Sequence, residues 1–375
     1  MSVTTRAAVL VESGRPAPYA DSRPLEVAEL RLDPPGPGEL LVRVGAAGLC
    51  HSDLSVINGS RRRPLPMALG HEAAGEVVEA GEGSGFAAGD RVVLAFVPAC
   101  GECERCVSGR PALCGPGAAA NGAGTLLGGG RRFAYEDGAR PHHHLGVSAF
   151  SEYTVVSAKS AVKVDADLPM EIAALFGCAV LTGAGAALYS ANIVPGDTVA
   201  VFGLGGVGLA ALLAARAAGA AEIIAVDVVE HKRDLALRLG ASGAVAGGPD
   251  AVEAVRELTG GGAEKVIDTT GVAPVLAQAY AATRAGGTTV TVGLPDPSAP
   301  LTLPALSLVA EERTLRGSYL GSSVPRRDVP RFVGMYRAGV LPVDALLSHR
   351  LTLDEVNAGF DRLSAGDAVR QVITF

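Results

Sequence analysis

The sequence predicts an α/β protein of two domains, a β-rich one and a doubly wound parallel sheet, on three observations. The chain has 375 residues, enough for two domains at ~100–200 residues each. Its first part carries short Val-rich runs broken by Gly and Pro. After about residue 175, apolar runs of four or five residues alternate with helical stretches, the pattern of βαβ units on a parallel sheet.

In the first part, Arg6–Val11, Leu40–Gly45, Glu76–Glu79 and Arg91–Phe96 read as strands, separated by turn signals such as Pro34-Pro35-Gly36-Pro37-Gly38. Gly115–Gly130, rich in Gly and Ala, reads as an irregular loop. Strand Thr198–Phe202 then leads to helix Val207–Ala218, strand Ile223–Val226 and helix His231–Leu239. The alternation continues through Lys265–Asp268, Pro274–Thr283 and Thr288–Val292. From Tyr319 a closing segment returns to the first domain, giving expected domains of 1–178 with 319–375, and 179–318.

Hydrophobic residues make up 48% and charged residues 19%, which supports a sizeable core and excludes global disorder. The net charge of −7, from 32 basic and 39 acidic residues, argues against a nucleic-acid binder, which presents a basic face. The start, MSVTTRAAVLVESGRP, lacks the apolar run of a secretory signal. Ala173–Val194 and Thr198–Ala215 are charge-free and reach membrane-span length, but both are rich in Gly and Ala, and the first carries Thr182, Ser190 and Asn192. A buried strand–turn–helix fits them better than lipid. A cytoplasmic protein with no membrane partner is expected. Only four lysines among so much Ala and Gly suggest a GC-rich bacterial genome.

Four of the six cysteines, Cys100, Cys103, Cys106 and Cys114, fall in CGECERCVSGRPALC. A reducing cytosol disfavours disulfides, and four thiolates in fifteen residues can close a tetrahedral shell around zinc. An iron–sulfur cluster competes, but the ferredoxin run needs its fourth Cys after three residues and before Pro. Here it follows after seven and precedes Gly115. The other two cysteines are dispersed: Cys50 in GLCHSDL, twenty-one residues before His71, and Cys178 in ALFGCAVLTGAG. Two Cys and one His make an open catalytic zinc site. Spacing alone does not assemble them, since Cys50 and Cys178 also read as small buried hydrophobes and His71 as a turn histidine.

The segment VFGLGGVG places Gly203, Gly205 and Gly208 in G-x-G-x-x-G between a strand and a helix, with Asp227 nineteen residues beyond. That context makes a dinucleotide fingerprint: the glycines admit the pyrophosphate, the helix N-terminus faces it, and the acid accepts from ribose hydroxyls. An acid there repels a 2′-phosphate and favours NAD over NADP.

Together GHEAAGEVVEAGEGS, the four-cysteine cluster, GLCHSDL, FGCAVLTG, VFGLGGVG and GFDRLSAGDAVRQVITF resemble the zinc-containing medium-chain alcohol dehydrogenases, of the dimeric, long-loop type. The resemblance implies a GroES-like catalytic domain, a Rossmann coenzyme domain and an active site in the cleft between them. It implies that Cys50, His71 and Cys178 hold a catalytic zinc, with Glu72 an occasional exchange ligand and Asp53 orienting His71. It places Ser52 as the hydroxyl that takes the alcohol proton, and His51 and Arg370 at the coenzyme pyrophosphate. Val207 would lie behind the nicotinamide, Lys232 beside the adenosine ribose, and Thr182, Gly206 and Val292 along the cofactor. Matching positions suggest Phe96, Leu113, His144, Leu145, Leu294 and Tyr319 for the substrate pocket, with Arg61 at its mouth. Arg61-Arg62-Arg63 also reads as a solvated loop, His142 to His144 as loop histidines, and Thr182 as a helix threonine. One departure stands out: where many members end the proton relay on a histidine, this chain has Ser55.

The implied reaction is reversible oxidation of an alcohol to an aldehyde or ketone, with hydride passing to NAD in a homodimer carrying two zinc ions per chain. Three alternatives stay open: a thiol-adduct (formaldehyde-type) dehydrogenase, a nicotinoprotein that keeps its NAD, and a dinucleotide-sensing binding protein.

Overall fold

The structure is a computed structural model that describes residues 2–375. It divides into two compact units: Met1–Cys178 with Val324–Arg331 and Leu347–Phe375, and Ala179–Ser323 with Phe332–Leu346. The closing segment is therefore interleaved: residues 319–323 and 332–346 belong with the second unit, where Phe332 stacks on Tyr189.

The first unit is built on two sheets. One has five strands in the order Phe133–Ala134, Leu25–Leu32, Val3–Leu10, Met67–Ala68, His142–His143. The other has seven and is centred on the long strand Glu39–Gly48, which pairs with Ala73–Ala80, Tyr153–Ser157 and the C-terminal Arg370–Thr374. Its central strands are Val- and Leu-rich rather than alternating with polar residues because both faces are covered. In Val3–Leu10, Ala8 and Leu10 enter the main core while Ala7 and Val9 enter a second cluster with Leu30, Phe133 and Val155. Successive residues of a strand point to opposite faces, so the half of this strand that lies between two cores, Ala7–Leu10, is apolar throughout, while Thr4 and Arg6 before it are exposed. A Val or Leu side chain fully buried there contributes roughly 1.5–3 kcal/mol.

The second unit carries six parallel strands in the order Gly243–Ala246, Glu222–Asp227, Thr198–Phe202, Ala263–Asp268, Thr283–Thr291, Thr314–Gly317. The order reverses between Thr198–Phe202 and Ala263–Asp268, and ligands of such sheets bind at that switch point. The Ala-rich helix Gly206–Ala217 is buried over most of its length. It lies so close to the helix Ala179–Gly185 that a Cβ on Gly183 would sit 2.2 Å from the Val207 carbonyl oxygen.

Two expectations need correction. Residues 115–123 form a helix rather than a loop. Cys114 caps it by accepting from the Gly117 N–H, Pro116 occupies its first turn, and Gly124 (φ 67°) closes it in the left-handed conformation. The stretch from Ala173 to Val194 is not strand–turn–helix but a series of short helices, Met170–Leu175, Ala179–Gly185 and Ala186–Ser190. Among the described residues no helix is long and apolar enough to cross a membrane.

Candidate active site

Two groups of sulfur ligands lie in the first unit, and each is assembled differently. The sulfurs of Cys100, Cys103, Cys106 and Cys114 all lie within 4.8 Å of one another. Local turns bring them there: Gly101 (φ 87°) and Gly109 (φ 78°) reverse the chain, and Cys103 and Cys114 each start a helix. Backbone N–H groups of Glu102 and Cys103 donate to the Cys100 sulfur at 3.5 and 3.3 Å, and those of Cys100 and Gly117 to Cys114, each at 3.3 Å. Four thiols at this spacing compete for charge. The Cys106 backbone N–H draws Cys103 down to about 6, whereas burial and then the neighbouring thiols push Cys106 up to about 12. A divalent cation that accepts four thiolates removes that conflict, so the donor set fits structural zinc.

The second group is Cys50, His71 and Cys178, whose ligand atoms also lie within 4.8 Å of one another. Cys50 precedes the helix His51–Ile57. His71 follows Gly70, whose φ of 92° and close approach to Phe150, 2.4 Å from a hypothetical Cβ to its backbone nitrogen, admit only glycine. Cys178 stands between the helices Met170–Leu175 and Ala179–Gly185. All three are buried. His71 Nδ1 is 3.0 Å from Asp53 Oδ1, while its Nε2 is buried with no hydrogen-bond partner. A hydrogen bond from Cys178 holds the Cys50 thiol well below its ordinary value, and the same bond with burial drives Cys178 well above. Burial acts to lower His71, but Asp53 and Cys50 outweigh it and hold the ring well above its ordinary value. Two thiols and an unpartnered imidazole nitrogen fit a metal with an open position.

Glu72 adjoins this group. Both its carboxylate oxygens are buried without a hydrogen bond, one of them 3.3 Å from Arg370 Nη1. Burial raises its carboxyl to about 7. Room for it comes from Gly48, where a Cβ would lie 2.9 Å from the Glu72 carboxyl carbon. Arg370 itself is buried and donates to the Leu49 carbonyl at 2.9 Å. The structure thus places it beside Glu72, a neighbour that sequence reasoning missed because the two are 298 positions apart. His51 is exposed, Ser52 half-buried, and Ser55 donates to the His51 carbonyl at 2.8 Å.

The expected pocket residues separate. Phe96 is buried and meets the His71 ring edge-on, with centroids 5.5 Å apart, and Leu145 is buried in a left-handed conformation. Arg61 is half-buried. Leu113 is largely exposed within the four-cysteine lobe, and Leu294 and Tyr319 belong to the second unit, Leu294 exposed there. The run His142 to His144 is not an exposed loop. His142 and His143 form a short strand, and His143 is buried, its ring nitrogen accepting from the Arg132 N–H at 3.1 Å. His144 is buried with its Nδ1 3.0 Å from Asp53 Oδ1.

In the second unit, Gly203 (φ 87°) turns the chain out of its strand, and a Cβ on Gly208 would come within 1.8 Å of the Gly203 carbonyl oxygen. A Cβ on Gly205 would meet nothing within 4 Å, leaving open space at the start of the helix Gly206–Ala217, which begins with Gly206, Val207 and Gly208. The Asp227 carboxylate accepts from the Leu204 N–H at 2.6 Å and the Val229 N–H at 2.8 Å, tying this turn to the end of the next strand. Lys232 and Thr182 are buried, and Val292 directly follows the strand Thr283–Thr291. A Gly-rich turn, an open helix N-terminus and an acid at the next strand end are the parts of a dinucleotide site.

Residues 36–166 match the alcohol dehydrogenase GroES-like domain family, and residues 206–337 the zinc-binding dehydrogenase family. The chain is 40% identical to an NDMA-dependent alcohol dehydrogenase of Amycolatopsis methanolica over 382 residues, 98% of each chain. It is 40% identical to the geraniol dehydrogenase of Castellaniella defragrans, covering 100% of this chain and 98% of that one. The crystal structure of benzyl alcohol dehydrogenase from Acinetobacter calcoaceticus superposes with a TM-score of 0.91 at 32% identity, over 100% of this chain and 99% of that one. With both halves matched and the relatives aligned end to end, the chain belongs to the zinc-containing medium-chain alcohol dehydrogenase family and is an oxidoreductase acting on alcohols.

Proposed function

We propose that the protein oxidises an apolar alcohol to the aldehyde or ketone, reversibly, with one catalytic and one structural zinc ion per chain and NAD as hydride acceptor. The observation that carries this reading is the unpartnered Nε2 of His71 beside two thiols, its other nitrogen held by Asp53. Zinc bound there supplies a Lewis acid for the alcohol oxygen, and NAD supplies the acceptor. Cys50, His71 and Cys178 hold the metal, and Asp53 keeps the proton on His71 Nδ1 so that Nε2 offers its lone pair. Ser52 relays the alcohol proton, accepting it as its own hydroxyl proton passes to the coenzyme ribose. Ser55 donates to the carbonyl of its own helix and a serine hydroxyl takes up no additional proton near neutral pH, which leaves water or the exposed His51 as the way out. Asp227 at its strand end supports NAD over NADP.

The named substrates of the relatives, geraniol and benzyl alcohol, support an apolar alcohol, as does buried Phe96 beside His71. A homodimer is supported by the outermost strand Thr314–Gly317 and by exposed Leu306 and Val309 on the adjoining helix, an edge suited to pairing with a second copy. Six cysteines without a disulfide support a reducing, cytoplasmic location.

A relative named for its dependence on NDMA favours a second reading, in which the nicotinamide stays bound and an external acceptor regenerates it. Metal analysis combined with turnover of an alcohol panel, with NAD, NADP or NDMA as acceptor, separates these. Two zinc ions with a strong NAD preference support the first reading. Copurified NADH absorbance with turnover only on NDMA supports the second. Full activity with one zinc or none refutes both.

A further inference from the structure

We infer that Thr269 is a positioning residue for the coenzyme pyrophosphate: opposite Asp227, its hydroxyl fixes the Gly203–Leu204 peptide that sets the direction of the glycine turn. This rests on the reading of that turn as a dinucleotide site. Thr269 directly follows the strand Ala263–Asp268, at the carboxyl end where the sheet order reverses and where ligands of such sheets bind. Its N–H donates to the Phe202 carbonyl at 2.9 Å. Its hydroxyl lies 2.9 Å from the Gly203 carbonyl oxygen and 3.2 Å from that of Phe202. A hydroxyl has one proton to give, and the shorter contact takes it. At the other end of the same peptide, the Leu204 N–H donates to Asp227 Oδ2 at 2.6 Å. The peptide that begins the turn is thus held at its oxygen from the end of one neighbouring strand and at its nitrogen from the end of the other.

The support behind Thr269 is stiff. The buried Asp268 carboxylate accepts from the Thr270 N–H at 3.1 Å, the Thr270 hydroxyl at 2.7 Å and the Thr291 hydroxyl at 2.9 Å. The Gly203 carbonyl is also enclosed from the helix side, since a Cβ on Gly208 would lie 1.8 Å from its oxygen and 3.0 Å from Thr269 Oγ1. Valine would fill the place of Thr269 with nearly the same shape, so the hydroxyl is the part that packing alone does not require. Without it the enclosed oxygen loses its side-chain donor, and a carbonyl short of a partner turns toward one. Rotating this peptide swings the chain at Gly205 and Gly206, where the unpaired N–H groups of a helix start meet phosphate. It also turns a carbonyl dipole toward the phosphate charges, which repel it. Both effects fall on the phosphates and spare the adenosine.

The test is calorimetric titration of the full-length protein with NADH, with ADP and with adenosine, which lacks the phosphates. Thr269→Val keeps the shape without the hydroxyl, and Thr269→Ala serves if valine fails to pack. Thr269→Ser keeps the hydroxyl, and thermal melts report folding separately. Thr269→Val should bind NADH and ADP about three- to tenfold more weakly, the scale of one hydrogen bond. It should bind adenosine as wild type does, while Thr269→Ser stays near wild type for all three. Should NADH copurify, it is exchanged out before titration, and its release should quicken by the same factor in Thr269→Val. A hydroxyl that only stabilises the sheet would lower the thermal midpoint and leave the ratio of ADP to adenosine affinity alone. That result overturns the inference, as does equal weakening of adenosine. If wild-type protein binds neither NADH nor ADP, the coenzyme reading itself fails and the inference with it.

Discussion

The two cysteine-based sites differ in how far apart in sequence their side chains lie, and on the function proposed the difference separates a folding element from a reactive one. The four-cysteine lobe draws its ligands from residues 100–114, and three of its four cysteines are partly open to solvent. Its thiols are steadied by N–H groups of adjacent turns, so little beyond its own backbone is needed. The other site gathers residues 50, 71 and 178 into a buried cluster. There a nitrogen, two carboxylate oxygens of Glu72 and Asp53 Oδ2 have no hydrogen-bond partner. A closed shell spends every donor on the metal and stabilises the fold, whereas an open site leaves groups unsatisfied where a substrate atom must enter.

The largest expected effect falls on catalysis. Cys178→Ser should lower turnover on the order of 10³-fold, the scale of losing a Lewis acid worth several kcal/mol, while the thermal midpoint stays near wild type. A variant that unfolds instead would erase the contrast between the sites. Cys103→Ser should do the reverse, removing one zinc equivalent and roughly 2–5 kcal/mol of stability, comparable to cutting a structural crosslink. Metal analysis beside a denaturant titration reads both numbers. Were activity lost and stability kept, the lobe would belong to the chemistry.

A smaller effect concerns Glu72, whose carboxyl burial raises from 4.5 to about 7. Between those values the folded metal-free protein binds more protons than the unfolded chain, so its stability should fall as pH rises through that window. Glu72→Gln should flatten this slope and leave the metal-free variant more stable at pH 8 by about 1–2 kcal/mol. Chelator-treated protein unfolded at pH 5 and pH 8 gives the comparison, and an unchanged slope would show that Arg370 already compensates the charge.

The smallest effect sharpens the contrast between packed and open surroundings. Gly48→Ala drives a Cβ against the buried Glu72 side chain and should cost about 1–2 kcal/mol together with some activity. Gly109→Ala in the four-cysteine lobe meets nothing within 4 Å but sits at φ 78°. It should cost about 1 kcal/mol of backbone strain and leave kcat untouched, which thermal melts and steady-state rates on the two variants can verify.

Legibility followed the same division. The strand Thr198–Phe202 matches its sequence reading residue for residue, and the helix after it begins at Gly206, one residue before the expected Val207. Apolar period and a glycine turn are local signals that tertiary packing reinforced. The Gly/Ala-rich stretch after Cys114 misled because its composition suggests a loop. A cap from Cys114 and a glycine stop at Gly124 make it helical instead. His144 was legible as a candidate for the substrate pocket, whereas its approach to Asp53 Oδ1 at 3.0 Å was not.

The sequence by itself determined the sulfur inventory, the fingerprint around Gly203 and the alternation of strands and helices, because spacing within about twenty residues governs turns, caps and local ligand sets. Only the tertiary structure decided that Cys50, His71 and Cys178 meet. It also decided that Arg370 lies against Glu72, and that Asp53 faces two imidazoles rather than one. These contacts are made by residues far apart in the chain, and their energies come from burial, which removes water from charges and makes each remaining partner count.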